Sequence, residues 1–320
     1  MKITLITPVP KYSRAGNRVT ALRWARMLRK LDHKVKIETE FNGSQSDVMI
    51  ALHARRSHSS IARFRQLNPA KPLIVALTGT DIYQDLPQSR DVQKSLEWAH
   101  RLVVLQPLAI EELPKEFRSK TRTIYQSAIK QGRRIKKKEK TFDVCVLGHL
   151  RPVKDPFRAA LATRSLPGAS RIRVLQIGAA LEPEMEQMAL AEMTTNPRYR
   201  WLGEKPRWQA RRILVSCRLL VLSSQMEGGA NVISEAVVAG VPILASRISG
   251  SVGLLGEDYP GYFSVGDTAQ LRELLLRAES QPEFILELQT WGERLQHLFE
   301  PETERNAWGN LFDELFVSLN

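Results

Sequence analysis

Short apolar runs alternate with amphipathic helical stretches along most of the chain, and this alternation constrains the fold more than any other feature. The first six predicted strands are KITLIT, KVKIETE, DVMIALH, PLIVALTG, RLVVLQP and TRTIYQS. Amphipathic stretches such as NRVTALRWARMLRKL and DVQKSLEWAHR separate several of them. Strands separated by helices in this way form parallel βαβ units. The sequence therefore predicts an α/β protein with doubly wound parallel sheets.

The alternation breaks at residues 129–141, IKQGRRIKKKEKT, where seven basic residues accompany one glutamate. This composition is typical of a solvated linker. A second series of predicted strands follows it: FDVCVLGH, RIRVLQIG, YRWLG, CRLLVLSS, VPILASR and GYFSVGD. We therefore predict two Rossmann-like domains, 1–128 and 142–300, joined by the basic linker. The amphipathic segment at 301–320 predicts a helix that packs back on the first domain.

Length and charge limit the function classes. A chain of 320 residues with 43% hydrophobic residues is long enough for two domains, each with its own core. The formal net charge of +13 favours a partner that carries negative charge. Nucleic acid, an anionic membrane face and phosphorylated small molecules all fit this charge, so charge alone does not choose among them.

The cysteines and the N-terminus indicate the compartment. Cys145 and Cys217 lie in apolar runs and match neither a metal-site spacing nor C-x-x-C, which predicts buried, reduced thiols. The first residues, MKITLITPVP, lack the features of a signal peptide. No window approaches the roughly 18 apolar residues that a membrane-spanning helix needs. We expect a soluble cytoplasmic protein.

The stretch EGGANVISEA carries the strongest motif in the second half. Gly228 and Gly229 precede a predicted helix with Asn231 as its N-cap, so backbone N–H groups can approach a phosphate closely. Glu235 lies about one turn inside that helix, where a carboxylate can accept from the two hydroxyls of a ribose. Glu227, before the glycines, is placed to hold sugar hydroxyls. The alternative is a plain tight turn with a helix-dipole glutamate.

The stretch VCVLGHLRPVKDP places two cations just after a predicted strand. Arg151 and Lys154 are three residues apart and follow Gly148. Fixed cations at this point can stabilise the charge that develops on a nucleoside diphosphate leaving group. A solvated loop that precedes a helix is the alternative.

Three turns in the first half have a similar composition. The turn after the first strand contains Lys11, Arg14, Gly16, Asn17 and Arg18, and it opens a helix. The next two turns contain His53, Arg55 and Arg56, and then Thr78, Gly79, Thr80 and Asp81. Because the carboxyl ends of parallel strands meet at one edge of a sheet, these turns predict a site for a small, strongly anionic acceptor.

Individual roles within these turns follow from residue type. We predict that Arg14, Gly16, Asn17 and Arg18 bind the acceptor anion, together with Arg55, Arg56 and Thr80. His53 and Asp81 are the candidate catalytic groups. For His53 the alternative is a structural histidine, and for Asp81 it is a helix N-cap.

The motifs GHLRPVKDP and EGGANVISEA together resemble the G-x-L-x-x-x-K and E-x7-E signatures of family 4 glycosyltransferases. That resemblance implies the GT-B fold, two facing Rossmann-like domains, and catalysis without a metal or other cofactor. It also implies that Arg151 and Lys154 hold the donor diphosphate and that Glu235 holds the ribose. Glu227 and the backbone of residues 228–231 would hold the sugar and phosphates.

A narrower resemblance covers nearly the whole chain. The stretches PVPKYSRAGNRVTALRW, LHARRSHSSI, LIVALTGTDIY, RLVVLQ and DYPGYFSVGDT are similar to the selenosugar synthases of the bacterial selenoneine pathway. The resemblance implies transfer of selenophosphate to the anomeric carbon of UDP-N-acetylglucosamine or UDP-glucose, and a 1-selenosugar after loss of phosphate. It also implies two pathway partners, a selenophosphate synthetase and a selenoneine synthase.

Two other function classes fit part of the sequence. A nucleic-acid-binding protein would explain the positive charge, but the chain lacks an RNP-like aromatic motif, zinc-ligand spacing and a repeated basic helix, so we expect no nucleic-acid partner. A family 4 transferase acting on a hydroxyl of a sugar, lipid or glycan is the second class. Its membrane-associated members have an exposed amphipathic stretch. ALRWARMLRKL fits a core-packed helix better, so we expect no membrane partner.

Overall fold

The computed structural model describes residues 1–13, 15–130, 137 and 139–317. These residues form two compact units. The first contains Met1–Ser127, Glu227–Asn231 and the C-terminal residues from Pro301. The second contains Ala128–Met226 and Val232–Glu300. Most of the central part of the predicted basic linker, residues 131–136 and 138, lies outside the described residues.

The first unit contains a six-stranded parallel sheet. Its strands are β1 (Lys2–Ile6), β2 (Lys34–Glu38), β3 (Val48–Leu52), β4 (Leu73–Ala76), β5 (Arg101–Val104) and β6 (Thr121–Thr123). Their order is β2-β1-β3-β4-β5-β6. All six lie within the runs predicted from sequence. The central strands are rich in Val, Ile and Leu and are buried on both faces, which favours parallel strands. In β3, for example, all five residues are buried.

Helices cover both faces of this sheet. They are α1 (Gly16–Lys30), α2 (His58–Leu67), α3 (Arg90–Trp98), α4 (Lys115–Arg118) and the C-terminal α12 (Pro301–Val317). The helix α12 packs on α1, where the rings of Trp24 and Trp308 meet edge to face with their centroids 4.8 Å apart. Both rings are fully buried. The last described helix of the chain is thus part of the core of the first unit.

The second unit repeats the architecture. Its strands are β7 (Phe142–Leu147), β8 (Ile172–Ile177), β9 (Tyr199–Trp201), β10 (Leu219–Leu222), β11 (Ile243–Ser246) and β12 (Tyr262–Phe263), in the order β12-β11-β10-β7-β8-β9. Its helices are α5 (Arg158–Thr163), α6 (Pro183–Thr195), α7 (Arg207–Ser216), α8 (Asn231–Ala239), α9 (Ser249–Leu255), α10 (Thr268–Ser280) and α11 (Pro282–Leu295).

The two cysteines lie in the core of the second unit. Cys145 and Cys217 are buried free thiols, as the sequence predicted. A hydrogen bond between the two thiols, together with burial, raises the pKa of Cys145. No helix in the described part of the chain combines the length and the apolar composition needed to cross a bilayer.

Each sheet has one point where the strand order reverses. In the first sheet the chain leaves β1 toward β2 and later returns to β3 on the other side of β1. In the second sheet it leaves β7 toward β8 and returns to β10 on the other side of β7. Ligands of open parallel sheets bind beyond the carboxyl ends of the strands at such points. The turns after β1 and β3, and those after β7 and β10, are therefore where each unit is expected to bind its ligand.

Candidate active site

The cations predicted after β7 lie on a turn that its neighbours hold tightly. Residues Pro152–Lys154 form a short 3-10 turn, and Asp155 follows it with φ of 43°, in the left-handed region. The Ser223 hydroxyl, after β10, donates to the Asp155 carbonyl at 2.7 Å. The Gln225 N–H donates to the Val153 carbonyl at 2.9 Å. Residues that follow β10, the neighbouring strand across the reversal, therefore fix the backbone around Lys154.

This turn borders a small open pocket at the carboxyl ends of β7, β8 and β10. Its lining residues are Val146, Leu147, Gly148, His149, Lys154, Pro156, Gln176, Val221, Leu222, Ser223 and Ser224. Gln176 is fully buried and donates from Nε2 to the Gly148 carbonyl at 3.3 Å. A Cβ on Gly178 would lie 1.9 Å from the same carbonyl oxygen, so only glycine lets the turns after β7 and β8 approach so closely.

The predicted ribose-binding carboxylate, Glu235, lies on α8 and is buried to 8% exposure. Its Oε1 accepts hydrogen bonds from Arg207, from Nε at 3.1 Å and from Nη2 at 2.8 Å. Arg207 begins α7, and Arg211 follows one turn later. Burial and the nearby Arg207 lower the pKa of Arg211, and Glu235 opposes this shift. Both Arg207 bonds go to Oε1, and no other described residue is recorded donating to Oε2.

Sequence reasoning missed Arg207 and Arg211. Their spacing of four residues in KPRWQARR places both on one face of a helix, a signal that was present in the sequence. Nothing in that spacing identified Glu235 as their partner, because it lies 28 residues further along the chain than Arg207.

The segment Glu227–Asn231 belongs by its contacts to the first unit. Glu227 is half-buried there. A Cβ on Gly228 would lie 2.5 Å from the carbonyl carbon and oxygen of Thr78, and one on Gly229 would lie 2.4 Å from the Cβ of Leu105. The glycine pair is therefore required for close packing against the turns after β4 and β5, a reason that the sequence did not indicate.

Asn231 differs in detail from its predicted role as a helix N-cap. The helix α8 begins at Asn231 itself. Its side-chain Oδ1 accepts from Nη1 of Arg23 at 2.8 Å, within the first unit. Arg23 lies in the middle of α1 and was not among the predicted site residues.

The candidate catalytic pair occupies the turns after β3 and β4. His53 is buried with φ of 71°, a strained conformation for a residue with a side chain. Its Nδ1 accepts from the Arg56 N–H at 3.4 Å, so Nε2 carries the proton and donates to Thr80 Oγ1 at 3.0 Å. Burial lowers the pKa of His53, and the nearby Asp81 partly opposes that shift. His53 is thus a neutral donor that fixes Thr80.

Asp81 is fully buried, and its carboxylate joins two turns. It accepts from the backbone N–H groups of Ala54 at 3.0 Å, Thr78 at 3.0 Å and Gly79 at 2.8 Å. Three backbone donors satisfy a buried carboxylate and fix the geometry around it. This arrangement holds the turns after β3 and β4 together and differs from the helix N-cap given as the alternative role of Asp81. Its predicted catalytic role stays a prediction.

The arginine pair after β3 lies at the surface. Arg55 and Arg56 are both exposed. Arg55 Nη1 pairs with Asp85 Oδ1 at 2.7 Å, and its side chain is 59% exposed. A pair of this exposure contributes little to stability and leaves the arginine able to exchange partners.

The turn after β1 leads into α1, which carries a buried arginine, Arg18, in its first turn. Arg14 lies outside the described residues. Gly16 and Asn17 open α1, whose N-cap, Ala15, provides no side-chain hydrogen bond. Arg18, in the first turn of α1, is buried to 8% exposure. Its Nε has no hydrogen-bond partner, and no carboxylate in the described part of the chain is within ion-pair distance of it.

The burial of Arg18 has two electrostatic costs. A guanidinium stays charged at any ordinary pH, and removing it from water without a counter-ion is strongly unfavourable. A cation in the first turn also opposes the helix dipole, and α1 has no acidic residue there. A bound anion would offset both costs.

Comparisons with known proteins fit this architecture. Residues 128–293 match the family described as Glycosyl transferases group 1. This span is just over half of the 320 residues and covers most of the second unit, together with residues 227–231 of the first. A search of the curated proteins found no match.

Solved structures resemble the fold over nearly the whole chain. Sucrose-phosphate synthase from Thermosynechococcus elongatus has a TM-score of 0.78 at 15% identity, covering 99% of each chain. The Anabaena protein HepE, in complex with UDP and glucose, has a TM-score of 0.77 at 14% identity, covering 98% of this chain and 100% of that one. The UDP-forming α,α-trehalose-phosphate synthase from Burkholderia vietnamiensis gives 0.69 at 13% identity, with 96% and 79% covered.

The fold and the family match lead to one conclusion. At these identities the solved structures establish the fold alone, which is GT-B with two six-stranded parallel sheets. The family match covers the unit that contains Arg151, Lys154 and Glu235. The chain belongs to the group 1 glycosyl transferases.

Proposed function

We propose that this glycosyltransferase transfers a sugar from UDP-N-acetylglucosamine or UDP-glucose to selenophosphate and releases UDP. The product loses phosphate afterwards and becomes a 1-selenosugar for selenoneine biosynthesis. A selenophosphate synthetase would supply the acceptor, and a selenoneine synthase would consume the product. The observation that carries an anionic acceptor is the buried Arg18, which has no carboxylate partner among the described residues.

The second unit supports the donor half of the proposal. Arg207 bonds to Oε1 of Glu235, and Oε2 would accept from the ribose hydroxyls. Arg151 and Lys154 lie on the fixed turn after β7, where cations can hold a diphosphate. HepE and the trehalose-phosphate synthase are described with UDP or as UDP-forming, which favours UDP as the nucleotide here.

The chemical step needs little from the protein beyond placement and charge. A selenium lone pair attacks the anomeric carbon, the bond from that carbon to the β-phosphate oxygen breaks, and its electron pair leaves with UDP. Arg151 and Lys154 would stabilise the charge that grows on the leaving oxygen. A hydroxyl acceptor must lose a proton, whereas selenophosphate is already an anion. The neutral, buried His53 suits a positioning role through Thr80 better than that of a base for this acceptor.

The test is UDP release by the purified protein, given each UDP-sugar with and without selenophosphate, with mass spectrometry of the products. We expect UDP release that depends on selenophosphate, together with a selenium-containing sugar. Donor hydrolysis without a selenium product would overturn the acceptor assignment. Turnover of sugar or lipid alcohols in its place would establish a hydroxyl acceptor.

A further inference from the structure

Arg23 has a hydrogen-bonding pattern that neither the motifs nor the family match accounts for. It lies on α1 and is buried to 7% exposure. Its Nε donates to Glu304 Oε1 at 3.0 Å, and its Nη1 donates to Asn231 Oδ1 at 2.8 Å. Its Nη2 is buried and has no hydrogen-bond partner in the described part of the chain. Two of the three guanidinium nitrogens, Nε and Nη1, are thus bonded, and Nη2 has no acceptor among the described residues.

The network around Glu304 keeps the guanidinium from turning to use that donor. Glu304 is buried to 1% exposure on α12. Besides Arg23, its carboxylate accepts from Trp24 Nε1 at 2.7 Å and from the Ser127 N–H at 2.8 Å. A planar guanidinium held at two nitrogens has a fixed direction for the third. A buried donor that makes no hydrogen bond destabilises the protein by about 1–3 kcal/mol. We therefore expect Nη2 to have a partner when substrate is bound.

The position of the spare donor indicates the kind of partner. The Nδ2 of Asn231 lies 3.9 Å from the position that a Cβ on Gly16 would take. Arg23, bonded to the same amide group, therefore lies beside the first turn of α1. This helix has 15 residues and no acidic side chain in its first turn. A helix N-terminus and a guanidinium donor together favour a phosphoryl oxygen.

We propose that Arg23 is a substrate-binding residue whose Nη2 donates to a phosphoryl oxygen of the bound substrate, while Glu304 and Asn231 hold its other nitrogens. The inference rests on the proposed function only in requiring a phosphorylated substrate. Both substrates carry such an oxygen, the diphosphate of the sugar nucleotide and the phosphoryl group of the acceptor. The experiment separates these two sources.

The experiment measures binding of UDP and of inorganic thiophosphate, a stable analogue of the acceptor, by titration calorimetry on the full chain. The variants are Arg23→Gln and Arg23→Lys, and the matched control is Arg26→Gln, an exposed arginine on the same helix. We expect both Arg23 variants to weaken one of the two anions at least about tenfold, the effect of a lost hydrogen bond to a charged group. Arg26→Gln should stay within about twofold. The anion that weakens identifies the source, and unchanged binding of both would overturn the proposal.

A second comparison separates direct contact from an effect through Asn231. Asn231→Ala removes the partner of Nη1 and leaves Nη2 in place. If Arg23 touches the substrate, Arg23→Lys should weaken binding further in the Asn231→Ala background. If the double variant binds no worse than Asn231→Ala alone, Arg23 only positions Asn231 and the proposal fails. Melting temperatures identify variants with a damaged fold, and Arg23→Lys, which keeps a cation beside Glu304, carries the test if Arg23→Gln does not fold.

The outcome is independent of selenium chemistry. If the wild-type protein makes no selenosugar but Arg23→Lys weakens UDP binding, the proposed acceptor is wrong and Arg23 remains a substrate-binding residue. If selenosugar forms while the Arg23 variants bind both anions normally, the proposed function holds and the inference about Arg23 is wrong.

Discussion

The two units satisfy their buried charges in opposite ways. In the first unit protein donors bond the buried carboxylates of Asp81 and Glu304. Arg18 and Arg23 each keep a nitrogen atom that has no hydrogen-bond partner among the described residues. In the second unit the buried Glu235 accepts from Arg207 at Oε1, and its Oε2 has no donor recorded among the described residues. N–H donors without a partner can bind an anion, whereas a carboxylate oxygen without a donor can accept from sugar hydroxyls. The proposed function assigns these two patterns to two different ligands.

The largest effect should follow from removal of the Glu235 carboxylate in the second unit. Glu235→Gln replaces a carboxylate with a neutral amide and leaves Arg207 without its ion pair. Because a hydrogen bond to a charged group contributes about 1.5–3 kcal/mol, we expect the donor KM to rise by about 10- to 100-fold. Steady-state kinetics with UDP-sugar measures this. An unchanged donor KM with a raised acceptor KM would reverse the comparison between units.

Arg18→Met tests the spare donor of the first unit. Methionine fills a similar space without a charge, so we expect acceptor KM to rise by about tenfold or more while donor KM stays within about twofold. The same change removes a buried cation without a partner, so the free energy of unfolding should increase by about 1 kcal/mol or more. Kinetics and denaturant unfolding of the apo protein check both. Loss of stability together with normal acceptor use would show that Arg18 serves the fold alone.

Gly228→Ala tests why residues 227–231 belong to the first unit. The added Cβ would lie 2.5 Å from the Thr78 carbonyl group, and backbone must shift to admit it. We expect a loss of about 1–3 kcal/mol in stability, as for other overpacked sites. Gly309→Ala, on α12 with open space around it, is the control and should be neutral or stabilising by up to about 1 kcal/mol. Equal stability of both variants would contradict the packing explanation.

Arg55→Ala should have a small effect, in contrast to Arg18→Met. The Arg55 side chain is 59% exposed in its pair with Asp85. Since such exposed contacts contribute about 1 kcal/mol or less, we expect the acceptor KM to rise no more than about fivefold, with UDP binding intact. Titration with UDP measures UDP binding, and steady-state kinetics measure the acceptor KM. Loss of UDP binding in this variant would contradict the assignment of Arg55 to the acceptor.

The smallest effect concerns pH. Burial lowers the pKa of His53 in the folded protein, so unfolding takes up a proton below about pH 6.5, the value of an unperturbed histidine. The contribution of His53 to the free energy of unfolding should be fully present above that pH. It should be lost as the pH falls toward the lowered pKa that His53 has in the folded protein. His33 and His100, whose pKa burial also lowers, add to the fall. His53→Gln should make the fall in melting temperature between pH 7.5 and pH 5.5 shallower. An unchanged pH profile would mean that His53 already titrates normally.

The sequence indicated the strands of both sheets and the candidate residues of the second-unit turns. All twelve strands lie within predicted runs, because a buried parallel strand is marked by its own apolar residues. Glu235 and the pair Arg151 and Lys154 could be picked out since their spacing from a strand end is local. The residues that bond to them could not be identified from the sequence. Arg207 meets Glu235 from a different helix, and Ser223 holds the Asp155 carbonyl from a different strand end.

By itself, the sequence determined the two parallel sheets and the turns that carry charge, because strand periodicity and strand-end composition are properties of neighbouring residues. Only the tertiary structure decided which charges are satisfied. Arg23 and Glu304 are 281 residues apart, and Arg18 is an ordinary basic residue until burial removes its water. Gly228 and Gly229 looked suited to a phosphate turn, and the structure adds the close approach of Thr78 and Leu105. Burial and long-range pairing depend on the whole fold, so no local pattern encodes them.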